Sequence, residues 1–237
     1  NASEQFSEGL HHSASRIELG DLQFTSETAH KISLTLQKIG ERVNFTITPF
    51  ATKIDDFILI EPTGIRQTIR GNFQVWEYRQ TQAQMYGLDL DANLSLTDNV
   101  RFVHQFSLVK GYDKTSNEPL ISMPAANTLN SLVYTNPNFN NISIAIQSNY
   151  VFRQNEFPNT NFEVVLPDSI QTVDISTPPS GYHLLNFNIT AAIRPDMQVG
   201  LYVNNLLNTS YRNYLNRLRY YADDVGRNIT LQLKYNY

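Results

Sequence analysis

Two adjacent histidines, His11 and His12, are the first residues whose chemistry could serve a binding site. They lie on a polar segment with Glu8 and Glu18 nearby. Short His-rich tracts can bind metal ions, and imidazole suits Zn, Cu, Fe and Ni. We therefore take His11, His12 and Glu18 as candidate metal ligands. The alternative is a pair of solvated loop histidines, because a structural zinc site needs about four convergent ligands.

A second group of charged and aromatic residues crowds one segment near the C-terminus. Guanidinium groups bind carboxylates and phosphates through paired, charge-assisted hydrogen bonds. The group could therefore hold an anionic chelate, and the alternative is a loop that packs on itself and its neighbours. Its members are Arg217, Arg219, Tyr220, Tyr221, Asp223 and Asp224.

Several classes of function lack support in the sequence. It contains no G-x-S-x-G, Walker loop or H-E-x-x-H motif, and its Ser, His and Asp residues show no catalytic spacing. Cysteine is absent, so disulfides and thiolate metal sites are excluded. The net charge of -4 and the lack of a basic stripe argue against nucleic acid as a partner. We expect a non-enzymatic protein with no cofactor.

The elements that must position these residues are strands. No run of about 18 apolar residues exists, so the sequence predicts no transmembrane helix. The final stretch, Arg227 to Tyr237, alternates strictly between an apolar and a polar face. Its length suits the roughly 9–11 residues of a tilted membrane-spanning strand. Tyr235 and Tyr237 stand where an aromatic girdle would meet the interface. The alternative is an edge strand of a soluble sandwich.

Alternating segments recur along the chain and predict about nine strands with no convincing helix. These strands are Lys31–Gln37, Val43–Ile60, a strand ending on Tyr86–Leu96, Val100–Leu108, Asn127–Tyr134, Ile142–Phe152, Leu185–Ile193, Val199–Val203 and Arg227–Tyr237.

Long and short connections alternate between these strands. The short ones are tight polar turns at Gly40, Thr97, Thr135 and Arg194. Transmembrane barrels have this asymmetry, with short periplasmic turns and long extracellular loops. We therefore predict an all-β, antiparallel transmembrane β-barrel segment with all long connections at one rim. Those long connections are residues 1–28, 61–72, 111–126, 153–181 and 208–226.

Nine strands are an odd number, whereas single-chain bacterial barrels have an even one. Both sheet edges would also be unpaired in lipid, which is not tolerated. We therefore expect residues 1–237 to be part of a larger barrel.

Sequence motifs carry a resemblance to a known family. The segment Val203 to Asn228 resembles the C-terminal region of TonB-dependent outer-membrane receptors, in which V-x-N-L-x-N-x-x-Y ends the penultimate strand. The matching positions near the end are Asn205–Asn208, Tyr211, Gly226–Asn228 and Tyr237, although the family more often ends in Phe or Trp. Residues 4–27 look like its E-x-G-N-x-x-L-x-x-E loop, with Asp21 in place of the usual Asn, and Tyr86–Asp89 is similar to its Y-G-x-E strand.

The resemblance implies a receptor in the outer membrane of a Gram-negative bacterium. Such receptors close about 22 strands around a plugged lumen. The plug domain, the TonB-contacting box and about thirteen N-terminal strands would then lie outside this chain. The implied partners are outer-membrane lipids, the TonB complex acting through the plug, and a scarce metal complex such as a siderophore, haem, zinc or cobalamin. The loop of Gly9 to His12 with Glu18 is similar to a branch associated with zinc or haem.

Two other classes of protein remain as alternatives. A passive porin would have neither a plug nor a tightly bound ligand. A barrel enzyme, such as an outer-membrane protease or phospholipase, would need a Ser/His/Asp cluster at one strand height, and the sequence shows none.

The assignment of faces generates a first prediction. Leu231→Arg in the intact receptor should impair assembly, because Arg near the midplane of the lipid face costs roughly 2–4 kcal/mol. Gln232→Arg should be much milder, because Gln232 faces the lumen. Heat-modifiable migration on gels measures assembly. As a check on lipid exposure, Leu231→Cys should react with a lipid-soluble maleimide and resist a charged one; labelling by the charged reagent alone would refute the assignment.

Overall fold

A computed structural model of the chain describes residues 2–166 and 168–236. Its helical elements are α1 (Ala2–Phe6) and a 3-10 turn at His12–Ala14. None of the helices within these ranges has the length and hydropathy to cross a membrane. The strands are β1 (Glu8–His11), β2 (Arg16–Leu19), β3 (Thr28–Ser33), β4 (Leu36–Lys38), β5 (Val43–Thr68), β6 (Gly71–Ser95), β7 (Val100–Asp113), β8 (Glu118–Pro119), β9 (Asn127–Asn136), β10 (Ile142–Val151), β11 (Phe162–Leu166), β12 (Ser169–Val173), β13 (Tyr182–Arg194), β14 (Met197–Asn204) and β15 (Asn228–Tyr235).

One large antiparallel meander dominates the fold. Its strands pair in the order β5-β6-β7-β9-β10-β13-β14-β15, and β3 and β4 pair with the other side of β5. Counting β3 and β4 as one interrupted strand, these are the nine strands that the sequence predicts. The all-β fold and its antiparallel order are confirmed. Within the described residues the sheet does not close on itself.

Strand register sorts the side chains onto two faces. Leu231 lies opposite Leu201, which lies opposite Ile189, which lies opposite Ile144. We call the side that carries these residues the apolar face. It is unprotected by other parts of the chain, since Leu231 is 75% exposed. The other side, the polar face, carries cross-strand hydrogen bonds, from Gln105 Nε2 to Asp91 Oδ1 and from Ser107 Oγ to Asp89 Oδ1, each of 2.7 Å.

The predicted separation of short and long connections is also confirmed. The turns at residues 39–42, 96–99, 137–141 and 195–196 join consecutive antiparallel strands at one end of the sheet. The connections that follow β5, β7, β10 and β14 all lie at the opposite end, which we call the loop end. Tyr237, the terminal aromatic residue of the predicted motif, lies outside the described residues.

The prediction that residues 61–72 form a loop is wrong. β5 and β6 continue past the rest of the sheet and pair up to Thr68 and Gly71. Pro62 is accommodated because β3 pairs with β5 only as far as Asp55, so β5 is an edge strand beyond that point. A proline is tolerated on an edge strand and next to a bulge, and the register shifts between Pro62 and Gly64.

The prediction of a featureless polar loop over residues 1–28 is wrong as well. β1 and β2 form a short antiparallel hairpin, and β2 pairs in parallel with residues 74–77 of β6. This pairing is possible because β6 extends beyond the end of β7. The hydrogen bonding between β6 and β7 stops at Ala83, which leaves residues 74–77 of β6 free to pair with β2. The predicted loop at 153–181 likewise contains a two-stranded ribbon, β11 and β12, separate from the main sheet.

Gly87 allows one close contact within the sheet. The ring of Phe50, directly opposite on β5, lies over it on the polar face. A Cβ at position 87 would be 2.5 Å from Phe50 Cζ and would also clash with the carbonyl oxygen of Leu108. The glycine of the Tyr86–Asp89 motif therefore has a packing role.

We predict that Gly87→Ala destabilises the complete protein by about 1–3 kcal/mol, because backbone and ring must both move. The measurement is the temperature at which the folded, heat-modifiable band is lost. Gly64→Ala is the matched control, since a Cβ at Gly64 meets nothing within 4 Å. Equal melting of both variants would show that the contact over Gly87 is not constraining.

Candidate functional site

The candidate residues all lie at the loop end, where three parts of the chain meet. The β1–β2 hairpin is held by the overhang of β6. The loop at 205–227 approaches it from the far side of the sheet, and the loop at 152–181 packs between them. Long strands on one side and long loops on the other thus bring residues together that are some 200 positions apart in the sequence, such as Glu18 and Arg217.

Glu18 is the centre of the site. It is 1% exposed, and its Oε1 accepts a hydrogen bond from Arg16 Nε at 2.7 Å, with Arg16 Nη2 also 2.7 Å away as an ion-pair partner. Arg217 Nη1 lies 3.5 Å from the same oxygen. On Oε2, the hydroxyl of Tyr78 donates at 3.4 Å and His11 Nε2 lies 3.7 Å away. We call these five residues the Glu18 cluster.

The Glu18 cluster has more positive than negative charge. Two guanidinium groups share one carboxylate, and the Arg16 guanidinium also lies 4.3 Å from the centre of the Trp76 ring. Burial lowers the pKa of Arg16, the hydrogen bond to Glu18 opposes that change, and the charge of Arg217 lowers it further. Burial, followed by the charge of Glu18, raises the pKa of Tyr78. The cluster is therefore suited to attract an additional anion.

The structure places the three candidate metal ligands unequally. His11 and Glu18 are neighbours across the β1–β2 hairpin, whereas Nε2 of His12 lies 3.4 Å from Arg70 Nη1. Glu18 is engaged by Arg16. No group of three or more His, Cys, Asp or Glu residues suited to a metal occurs within 2–166 and 168–236. The assignment of a metal to His11, His12 and Glu18 stays a prediction.

Arg219 is buried and joins two loops. It donates to the carbonyl oxygens of Tyr214 and Ile175, the latter at 3.1 Å, and to the hydroxyl of Tyr220 at 2.7 Å. Its guanidinium lies 4.2 Å from the ring centre of Tyr214 and 4.7 Å from that of Tyr220. Among the described residues no carboxylate pairs with it. Carbonyl dipoles and aromatic faces therefore stabilise this charge in place of an acid.

Asp223 also has partners inside the loop. Its carboxylate accepts hydrogen bonds from the hydroxyl of Ser210 and, at 2.6 Å, from Arg212 Nε. Both hydrogen bonds lower the pKa of Asp223, and the one from Ser210 has the larger effect. Tyr220 is half-buried, and burial raises its pKa. By contrast, Tyr221 is exposed, and the side chain of Arg217 is 57% exposed. Arg219, Tyr220 and Asp223 thus shape the loop, and Arg217 and Tyr221 face outwards. The ligand-binding role of all five stays a prediction.

Sequence reasoning missed a second charged group at the loop end. Arg79 Nε and Nη2 lie 2.5 and 3.0 Å from the two carboxylate oxygens of Glu61. Arg79 Nη2 is also 2.8 Å from Oδ2 of the buried Asp113, an ion pair without a directed hydrogen bond. The trio lines a cavity of about 420 Å³ together with residues 158–162, which lead into β11. Its members lie on β5, β6 and β7, which are adjacent in the sheet but place the three residues far apart in the sequence. No local motif could therefore have identified them.

Comparison with known proteins gives a family match. The family model described as "TonB dependent receptor-like, beta-barrel" matches residues 1–206. Most of the C-terminal motif lies beyond the matched range, so the two lines of resemblance are largely separate and agree. No curated protein matches the chain significantly.

Solved structures show a similar fold. The copper transporter OprC superposes with a TM-score of 0.78 at 16% identity, over 100% of this chain and 35% of that one. The siderophore receptor PirA from Acinetobacter baumannii gives 0.66 at 17% identity, over 94% and 33%. The FrpB iron transporter from Neisseria meningitidis gives 0.64 at 17% identity, over 93% and 33%. The chain therefore spans about a third of these proteins, and identities this low establish the fold alone.

The buried environment of Arg219 generates a prediction. Arg219→Lys should loosen the loop at 205–227 by about 1–3 kcal/mol, because an ammonium cannot replace a planar guanidinium that donates to three oxygens and stacks on two rings. Limited proteolysis of the loop in the assembled receptor measures the effect. Arg227→Lys, at an exposed position at the end of the same loop, is the control and should be cut at the wild-type rate. Equal protection of both variants would contradict a clamping role for Arg219.

Proposed function

This chain belongs to the TonB-dependent receptor β-barrel family, and from that premise we propose that it forms part of an active-transport receptor. Residues 1–237 would supply nine neighbouring strands of the C-terminal wall, together with their loops. Further strands, to a total of about 22, would complete the barrel around a plug domain. The receptor would lie in the outer membrane of a Gram-negative bacterium, with its loop end facing outwards.

The open edges of the sheet support the proposal of a larger barrel. Within the described residues, β15 pairs with β14 alone, and β3 and β4 pair with β5 alone. Unpaired backbone groups along both edges would each cost several kcal/mol in lipid, because hydrocarbon offers them no partner. Flanking strands on both sides would satisfy them.

The proposed cargo is a scarce metal complex carrying negative charge. The observation that carries this proposal is the excess of guanidinium over carboxylate in the Glu18 cluster, with Arg217 at its exposed side. An anionic chelate arriving at the loop end would complete the coordination of Arg217 and engage Tyr221. His11, with His12 nearby, would offer imidazole to zinc or haem. The similar structures include a copper transporter, a siderophore receptor and an iron transporter.

A non-enzymatic role is part of the proposal. Ser148 Oγ and His183 Nε2 lie 2.8 Å apart, which is the spacing of a nucleophile and its base. In the described residues, however, no carboxylate or amide contacts the second ring nitrogen of His183. A Ser–His pair without an orienting third group lacks the arrangement that activates serine hydrolases.

The energy requirement tests the function. Cells that depend on the complete receptor should take up radioiron, supplied as a ferric catecholate or hydroxamate chelate, or copper, by a saturable route. A protonophore or deletion of TonB should abolish this uptake, because the driving force comes from the inner membrane. Uptake that persists unselectively under both conditions would instead identify a passive porin.

The same receptor allows the site residues to be tested. Arg217→Ala should raise the Kd for the transported chelate about tenfold, the effect of losing one charge-assisted hydrogen bond. Arg101→Ala, at the short-turn end, is the matched control and should bind normally. Replacing His11 and His12 together with Ala should weaken zinc or haem binding, and unchanged titrations would identify them as solvated loop residues.

A further inference from the structure

The apolar face contains an unexpected group of polar side chains. His104 lies opposite Asn130, and Asn130 lies opposite Ser148 on the next strand. Register places all three on the same side as Ile144 and Leu231, since Ile144 lies opposite Tyr134 and Tyr134 opposite Val100. Two further polar residues adjoin them. Thr128 lies on β9, two residues from Asn130 towards the loop end, and His183 lies on β13, opposite Tyr150. We call His104, Thr128, Asn130, Ser148 and His183 the polar patch.

Within the polar patch, His104 and Asn130 lie too deep to meet lipid headgroups, whereas Thr128 and His183 are level with Tyr150. On β7, His104 is flanked by Phe102 and Phe106. The cross-strand pair Tyr86–Lys110 marks the edge of the apolar face nearest the loop end. On β10, the aromatic residues Tyr150 and Phe152 lie above Ser148, and their rings pack edge to face at 4.8 Å. Aromatic girdles mark the membrane interfaces of such barrels. His104 and Asn130 are therefore within the hydrocarbon, where polar side chains are costly and tend to be functional.

Hydrogen bonds within the patch satisfy part of its polar capacity. His104 Nδ1 and Asn130 Oδ1 are 2.7 Å apart, and because the amide oxygen can only accept, Nδ1 carries the proton. The remaining nitrogen, Nε2, is then an acceptor, and no described residue donates to it. Asn130 Nδ2 gives one hydrogen to Thr128 Oγ1 at 3.4 Å, while Thr128 donates to the carbonyl of Gln105 at 3.1 Å. The second amide hydrogen of Asn130 has no partner in the described residues.

The leftover groups are self-complementary. An acceptor on His104 and a donor on Asn130 stand side by side on adjacent strands. A two-fold axis near this pair would bring the acceptor of each copy to the donor of the other, forming two equivalent hydrogen bonds. Exposed apolar residues, Leu132 and Ile146, border the patch and would pack around those bonds.

We propose that the polar patch is a lateral interface in the membrane, at which the receptor pairs with a second copy of itself. This inference rests on the proposed membrane location. Lipid alone cannot donate to Nε2 of His104 at this depth, whereas a second copy supplies the matching groups. Polar pairing surrounded by close packing is the usual basis of association within bilayers, where hydrophobic burial gives no advantage.

Cross-linking in isolated outer membranes tests the interface. Leu132→Cys in the complete receptor should give a product of twice the receptor mass with a lipid-soluble bis-maleimide. Leu231→Cys, on the same face of distant β15, is the matched control and should not. Adding His104→Leu and Asn130→Leu to Leu132→Cys should lower the dimer fraction about tenfold, the factor expected from losing two average membrane hydrogen bonds. Ile229→Leu, on the same face of distant β15, should leave it unchanged.

Each outcome bears on the proposal. The leucine variants replace polar groups that face lipid, and retention of the heat-modifiable band verifies their folding. Equal cross-linking at Leu132→Cys and Leu231→Cys, or cross-linking insensitive to the leucine variants, would overturn the interface. A cross-linked product of another mass would show that the partner is a different membrane protein and would overturn self-pairing. Absence of the receptor from the outer-membrane fraction would instead refute the proposed function.

Discussion

Backbone hydrogen bonding between sequential neighbours is the interaction on which the rest of this structure depends. Hydrocarbon offers no partner to an N–H or a C=O group, so a strand that crosses it must be paired along its whole length. From β5 to β15 each strand of the meander pairs with the next. Two register shifts, at Ile54/Phe57 and Pro62/Gly64, lie at and beyond the level where β3 and β7 stop pairing with β5 and β6, and a third, at Ala192/Arg194, lies near the end of β13. The uninterrupted middle fixes the register, and the register decides which side chains face outwards.

At the loop end a different principle of stabilisation takes over. Chain segments without a continuous ladder are held by buried charges whose partners come from other segments. Glu18 joins the N-terminal hairpin to Arg217, and Arg219 joins the loop at 205–227 to the carbonyl of Ile175. Glu156 anchors the loop at 152–181 to Lys110 and to Tyr112, the latter at 2.5 Å. Loops ordered before a ligand arrives lose less conformational entropy on binding, so this cross-bracing favours a preorganised surface.

Local sequence signals failed where an element depends on its neighbours. Pro62, Gly64 and Gly71 are residue types typical of loops. The chain nevertheless stays extended there, because β5 is an edge strand and β6 supplies its backbone hydrogen bonds. Residues 16–19 show no sustained period, and they become a strand because the overhang of β6 offers a partner. In both cases the local propensity is weak and tertiary pairing decides the conformation.

The strand period, the two faces, the alternation of short turns with long connections and the family motif near the C-terminus could all be predicted from the sequence. These features are local, since a period of two and a tight turn are visible within about ten residues. The tertiary structure was needed to show that Glu18 is buried in an ion pair with Arg16, that Arg219 has no carboxylate partner among the described residues, and that Arg79, Glu61 and Asp113 line one cavity. It also decided that His104 and Asn130 meet on the apolar face. Burial and pairing of charges depend on segments far apart in the chain, and no local pattern of residues encodes which of them will meet.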